Sequence, residues 1–239
     1  MGERIAALIF DFDGLIIDTE GPDYESWQEL FREFGSILPL DVWEDCIGRE
    51  SGFFDPLDYL EKQIGRAVER DAIAARRRQR YHDLVAHQPV CPGVQDYINE
   101  GKRLGLKLAV ASSAPRAWVE GHLSRRALLD QFDCIKCTSD GIRPKPNPDL
   151  FRATAERLGI GVDCAIVLED APNGILAAKR AGMFCVAVPN SVTRRLAMHG
   201  ADLRLNSLAD IPLSQLLAEA GRLRQETKTI DSPTRNRDS

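Results

Sequence analysis

The chain has little that would carry it to nucleic acid or into a membrane. Its 239 residues bear 31 Lys and Arg against 36 Asp and Glu, a formal net charge of -5. That balance offers no global attraction to a phosphate backbone or an anionic bilayer, so nucleic acid and membrane are not expected partners. No apolar run approaches the roughly 20 residues needed to span a bilayer. The N-terminus lacks a basic segment followed by a long apolar one, so no secretion signal is expected and the expected location is cytoplasmic. The four histidines, His82, His87, His122 and His199, form no ligand spacing and no nucleophile–base arrangement. The six cysteines are scattered. Cys134-Ile135-Lys136-Cys137 has the spacing of half a zinc site, but it lies in a predicted strand, where residues three apart face opposite sides. With no second Cys or His pair to complete a site, these read as structural thiols.

What is present is an ordinary globular composition, 44% hydrophobic and 28% charged, at a length that suits one large domain or two modest ones. Short apolar runs recur at residues 5–10, 106–111, 132–137, 165–168 and 184–188. Amphipathic segments lie between them at 93–104, 116–128, 148–158 and 171–181. Strand–helix alternation of this kind predicts an α/β fold around a parallel sheet. Ligands of such sheets bind outside the carboxyl ends of the strands.

The alternation is interrupted between residues 19 and 88, which are helical in character at 24–31, 57–64 and 76–81. This predicts a small all-helical domain inserted after the first strand, with the Pro- and Gly-rich segment 89–93 as the return linker. The expected organisation is a core of residues 1–18 and 89–222, an insertion of 19–88, and a polar, flexible tail of 223–239.

Four motifs each follow a predicted strand. Asp11-Phe12-Asp13-Gly14 ends the first; its two carboxylates repel each other unless a cation or chemistry uses them, although an acidic turn has the same signature. Ser112-Ser113-Ala114-Pro115 ends the second and enters a helix, which suits an anion or a plain N-cap. After the third, prolines on both sides restrict the backbone of Lys145 and so aim its ammonium, which can compensate a carboxylate and a phosphate. After the fourth, Glu169-Asp170 either caps the next helix or completes an oxygen-only cation site with Asp11 and Asp13, of the kind Mg²⁺ favours.

In this order, and covering roughly residues 5 to 210, the four motifs resemble the haloacid dehalogenase superfamily in its phosphatase and phosphomutase branch. The resemblance implies a Rossmann-like parallel sheet with the first strand central, and a mobile helical cap matching the β-phosphoglucomutase-like subfamily. It implies Asp11 as the nucleophile that forms an aspartyl-phosphate and Asp13 as general acid and base. Ser112, with the backbone near Ser113, and Lys145 would hold the phosphoryl group. Asp11, the Asp13 carbonyl, Asp170 and Glu169 would hold Mg²⁺.

Substrate choice is expected in the cap, where Gly48-Arg49-Glu50-Ser51 resembles the subfamily's specificity loop and makes Arg49 a candidate contact. Of the run Arg76-Arg77-Arg78 with Arg80, which otherwise reads as a solvated helix face, Arg77 is the candidate to point into the cleft. Tyr24, Trp27 and Phe31 stand at helical spacing and read as cap packing. Sugar phosphomutases of the subfamily carry a histidine a few residues past the hinge at Asp18-Thr19; here the chain reads Glu20-Gly21-Pro22-Asp23. The resulting expectation is a Mg²⁺-dependent phosphatase acting on a small phosphorylated metabolite, most plainly a sugar phosphate, as a monomer or weak homo-oligomer. A phosphomutase, a metal-independent 2-haloacid dehalogenase and a non-catalytic binding module are the competing readings.

Overall fold

The computed structural model describes residues 4–44, 47 and 54–230. The chain enters its sheet at once with β1 (Ala7–Phe10), then leaves it for the helices α1 (Glu20–Glu33), α2 (Leu40–Glu44), α3 (Pro56–Ile64) and α4 (Arg70–Ala86). It returns through α5 (Val94–Arg103), β2 (Lys107–Ser112), α6 (Arg116–Arg125), β3 (Cys134–Cys137) and α7 (Asp149–Leu158). β4 (Ala165–Glu169), α8 (Pro172–Ala181), β5 (Phe184–Ala187), β6 (Leu203–Arg204) and α9 (Leu213–Ile230) complete it.

The strands form one six-stranded sheet in the order β3-β2-β1-β4-β5-β6, with all neighbours parallel. The expected α/β architecture is therefore the one found. Both faces of a parallel sheet are covered by its crossover helices, which is why these strands read as continuous apolar runs. Alternation along each strand then sorts side chains to two separate cores. Leu8, Phe10, Leu108, Val110, Ile166 and Leu168 pack with residues of α5, α6 and α9. Ile9, Ala109, Ala111, Val167 and Cys185 pack with α7 and α8. Cys134 and Cys137 fall on opposite faces in just this way, one in each core.

The insertion has its own small core, built on Leu30, Phe31, Leu38, Trp43, Leu57, Leu60 and Ile73. Tyr24 and Trp27 pack against it from its edge, as cap packing predicts. Asp55 caps α3 by accepting from the Leu57 N–H at 2.8 Å, with Pro56 in the first turn, an arrangement that satisfies an orphan donor and pre-sets φ. The two chain segments that enter and leave the insertion touch. Ile17 bridges Val90 in antiparallel fashion, and the Cys91 N–H donates to the Ile16 carbonyl at 2.9 Å.

Two local expectations are corrected. The tail expected from residue 223 is instead the continuation of α9 to Ile230. Arg222 sits in that helix between Glu219 and Glu226, pairing with both, so the polar composition is that of a solvated helix face. The helix expected over 116–128 stops at Arg125, followed by Ala127 at φ 55. β6, with only two residues, has no pattern to be read from sequence. No helix among the described residues is long and apolar enough to cross a membrane.

Candidate active site

Four loops at the carboxyl end of the sheet bring the motif residues together. Asp11 continues the β1–β4 ladder, its N–H donating to the Leu168 carbonyl at 2.9 Å, which places its carboxylate at the strand tip. Its neighbour Phe12 is fully buried in the core below, and Asp13 follows with its carboxyl in the cleft. Gly14 turns the chain at φ 83; a Cβ there would also overlap the Asp170 carboxylate. Gly174, in the first turn of α8, similarly lies against the Glu169 carboxyl with no room for a side chain. Glycine at both positions lets backbone and carboxylates approach closely.

Asp11, Glu169 and Asp170 are all buried, and one carboxylate oxygen of each lies within 4.8 Å of the others. Lys145 is the cation set among them. Its Nζ forms an ion pair with Asp11 and another with Glu169 at 2.6 Å, and it lies 5.0 Å from the centre of the Phe151 ring. The ammonium side chain is only 7% exposed. Burial alone would lower its pKa, but Asp11 and Glu169 more than offset this and hold it above its ordinary value. One lysine leaves the cluster with surplus negative charge. Burial, with Asp11 beside it, raises Glu169 to about 7, and burial with Asp11 and Glu169 raises Asp170 well above the usual carboxylate range. Three convergent oxygen donors with uncompensated charge fit a hard divalent cation.

Asp13 stands apart from that cluster and has its own donors. The Trp118 indole N–H donates to Oδ1 at 2.9 Å, and the Ser112 hydroxyl lies 3.4 Å from Oδ2. Burial, followed by Asp11, raises Asp13 to about 6, while Trp118, Thr19 and Lys145 act in the opposite direction. Ser112 is itself fixed by accepting from the Ala114 N–H at 3.0 Å. The Ser113 hydroxyl turns the other way and accepts from the Lys145 N–H at 3.1 Å. It thus ties the second motif to the third.

The cap contributes Glu20 and Tyr81 to the same cleft. Burial raises Glu20 to about 7, with Asp13, Asp18 and Asp11 adding to the effect. The Tyr81 phenol, raised first by burial, is also sensitive to Asp13 and Glu20. Arg77 is half-hidden behind them. Its guanidinium pairs with Asp23 and lies 4.5 Å from the centre of the Trp27 ring and 5.3 Å from that of Tyr81. Arg76 and Arg80 pair instead with Glu33 and Glu29 on the outside of the cap. Arg49 lies outside the described residues. None of the histidines meets the acidic cluster, and burial with Arg126 nearby pushes His122 down to about 4.

Three site residues carry no motif in the sequence. Trp118 is half-buried, and its place at Asp13 comes only from its partners in space. Asn190 donates to Asp170 Oδ2 at 2.8 Å, while its own oxygen accepts from the Val192 and Thr193 N–H groups. Tyr81 reaches the cleft from the far end of a helix that reads as basic and solvated.

The model of haloacid dehalogenase-like hydrolases matches residues 8–188. YhcW of Bacillus subtilis, provisionally named a phosphatase, is 46% identical over 213 residues, covering 89% of this chain and 96% of its own. The validoxylamine A 7'-phosphate phosphatase of Streptomyces hygroscopicus is 30% identical over 203 residues, covering 85% and 94%. Among solved structures, a mutant of CbbY from Rhodobacter sphaeroides in complex with xylulose-(1,5)bisphosphate superposes with a TM-score of 0.65 at 27% identity, over 87% of this chain and 96% of that one. The parallel sheet, the four loops at its carboxyl end and this sequence match together establish that the chain belongs to the haloacid dehalogenase-like hydrolase family.

Proposed function

We propose that this hydrolase is a Mg²⁺-dependent phosphatase that removes phosphate from a small phosphorylated metabolite, in the sugar-phosphate class, through an aspartyl-phosphate on Asp11. The observation that carries this reading is the pairing of two differently equipped carboxylates at one cleft. Asp11 is held by Lys145 inside a charged cluster, whereas Asp13 has a raised pKa and hydrogen-bond donors of its own. Environments that set two acids apart in this way assign a nucleophile and a proton carrier.

In the proposed reaction an Asp11 oxygen attacks phosphorus in line and the bond to the ester oxygen breaks. The departing oxygen takes a proton from Asp13. Asp13, now a carboxylate, takes a proton from water as that water attacks the aspartyl-phosphate, and Asp11 and inorganic phosphate are released. Lys145 and Ser112, with the backbone near Ser113, hold the phosphoryl oxygens. Asp11, Glu169, Asp170 and the Asp13 carbonyl would hold Mg²⁺, which when bound neutralises charge between nucleophile and phosphate. Asn190 keeps Asp170 aimed.

The sugar-phosphate class is supported by the 7'-phosphate named for one relative and the ketose bisphosphate bound to another. Glu20 and Tyr81 supply polar groups facing the cleft to which hydroxyls can bond, and Arg49 and Arg77 are the proposed cap cations for the rest of the substrate. Glu20-Gly21-Pro22-Asp23, in the stretch past Asp18-Thr19 where phosphomutases carry a histidine, favours release to water over return of the phosphoryl group. The test is phosphate release from a panel of sugar and polyol phosphates with Mg²⁺, beside β-glucose 1-phosphate with a bisphosphate primer. Turnover of the panel without isomerisation is expected; isomerisation alone, or no turnover, would overturn the reading.

A further inference from the structure

Asp13 is oriented by a ring that the cap itself grips. Trp118 lies in the first turn of α6, and its indole can donate but not accept. Its bond to Asp13 Oδ1 at 2.9 Å occupies that oxygen. The other oxygen, Oδ2, faces the Ser112 hydroxyl at a longer 3.4 Å, and the Thr19 hydroxyl also bonds the carboxyl. Hydroxyls can accept as well as donate, so Oδ2, free of the indole N–H, is the oxygen left to carry and exchange a proton. The indole has little freedom to turn away. His122, one turn along α6, meets it edge-on at 4.2 Å and 67°. Tyr81 of α4 stacks on it at 5.8 Å and 15°, and His82 of α4 meets its edge at 5.3 Å. Just past the last residue of α6, Arg126 donates to the Val85 carbonyl at 3.0 Å and to the Gln88 carbonyl at 2.6 Å, at the carboxyl end of α4.

Trp118, His122 and Arg126 thus form a stripe at i, i+4 and i+8 on which the end of the cap's longest contact helix rests. Displacing α4 would strip Tyr81 and His82 from the indole and free its rotation. We propose that Trp118 is a positioning residue for Asp13: it assigns proton transfer to Oδ2, and the seating of α4 on the indole makes that assignment depend on the position of the cap. This rests on the phosphatase reading for its kinetic consequence, but the hydrogen bond itself can be tested without turnover.

Trp118→Phe keeps an aromatic ring in the stack and removes the N–H, so the bond to Asp13 cannot form. A sugar phosphate needs its leaving oxygen protonated, whereas p-nitrophenyl phosphate does not. For the sugar phosphate, kcat/KM should fall about 10- to 100-fold, a part of what general acid catalysis supplies. For p-nitrophenyl phosphate it should change by less than about 3-fold. Tyr81→Leu, which keeps the N–H and removes the stack, should give the same selectivity at a smaller loss, about 3- to 10-fold. Equal losses on both esters, or none, would overturn the proposal. The chain has three tryptophans, so its ¹⁵N-indole spectrum is simple, and the Trp118 signal is the one lost in Trp118→Phe. That signal should move in Asp13→Ala; an unmoved signal would also overturn the proposal. A wild-type protein that hydrolyses neither ester sinks the phosphatase reading, while the indole signal still decides the bond.

Discussion

The active-site core and the cap both hold many ion pairs, and the pairs mean different things. On the cap, Arg76 and Glu33 are 59% and 51% exposed, and Arg70 meets three carboxylates at the surface. Arg70 and Arg80 hold Glu61 and Glu29 below the usual carboxylate range. In the core, Lys145 and Glu169 are 7% and 2% exposed, and the carboxylates outnumber the cation, so Glu169 and Asp170 are raised. Exposed, balanced charge is nearly neutral in stability because water screens it. Buried, unbalanced charge opposes folding unless something is bound there. The cap's ion pairs decorate a fold, while those of the core leave surplus negative charge of the kind that fits a hard cation.

The sharpest way to break this comparison is to remove one core carboxylate. Asp11→Asn should keep the fold by circular dichroism and lower turnover by about 10⁴-fold or more, read as phosphate release. Retained activity would end the nucleophile assignment. A cut of comparable weight in the cap has to be apolar. Leu60, fully buried in the cap's own core, should cost about 2–5 kcal/mol as Leu60→Ala. That loss is measurable by urea unfolding and should come without the loss of chemistry seen on replacing Asp11.

The pH response should separate the two regions further. Asp13, Glu20 and Glu169 are raised to about 6, 7 and 7, so the folded state binds their protons more tightly than the unfolded chain. Their contribution to stability is fully present below the unfolded values near pH 4 and is lost as pH rises through 6 to 7. With EDTA present, Tm should fall by roughly 5 °C between pH 5 and pH 8, and Mg²⁺ should restore it at pH 8. The cap carboxylates work the other way, since Glu29 and Glu61 are lowered and lose their contribution only as pH falls below about 4. A Tm that rises between pH 5 and 8 without metal would contradict the surplus charge inferred for the core. The smallest effect belongs to the cap surface: Arg80→Ala breaks an exposed pair with Glu29 and should leave both Tm and kcat nearly unchanged, since water screens such a pair.

Much of the core site was legible because its residues follow their strands directly. Asp11, Ser112 and Glu169-Asp170 each sit where an apolar run stops, Lys145 stands between prolines in the loop that follows the third strand, and a parallel sheet brings such ends to one edge. The partners of these residues were not legible. Trp118 reads as one aromatic in a helix, and only the packing of α6 against the sheet brings it to Asp13. Glu20 reads only as part of a segment that lacks the phosphomutase histidine, because its nearness to Asp13 and Asp11 comes from tertiary contacts. The polar end of α9 was misread for the opposite reason: composition suggested fraying, while the spacing of Glu219, Arg222 and Glu226 supports helix.

The contact between Ile17 and Val90, where the chain leaves for the cap and comes back, has a consequence for how such a molecule diversifies. To the sheet, some seventy residues of cap amount to a single closed loop whose ends are already fastened together. Loop closure grows only logarithmically with length, about 0.6 kcal/mol for each doubling. A longer, shorter or foreign insertion at this point therefore leaves β1 in register between β2 and β4 at little expense. The loops at the sheet's carboxyl end stay with the sheet, and the insertion above them can be exchanged as a module through two chain segments that meet at one bridge.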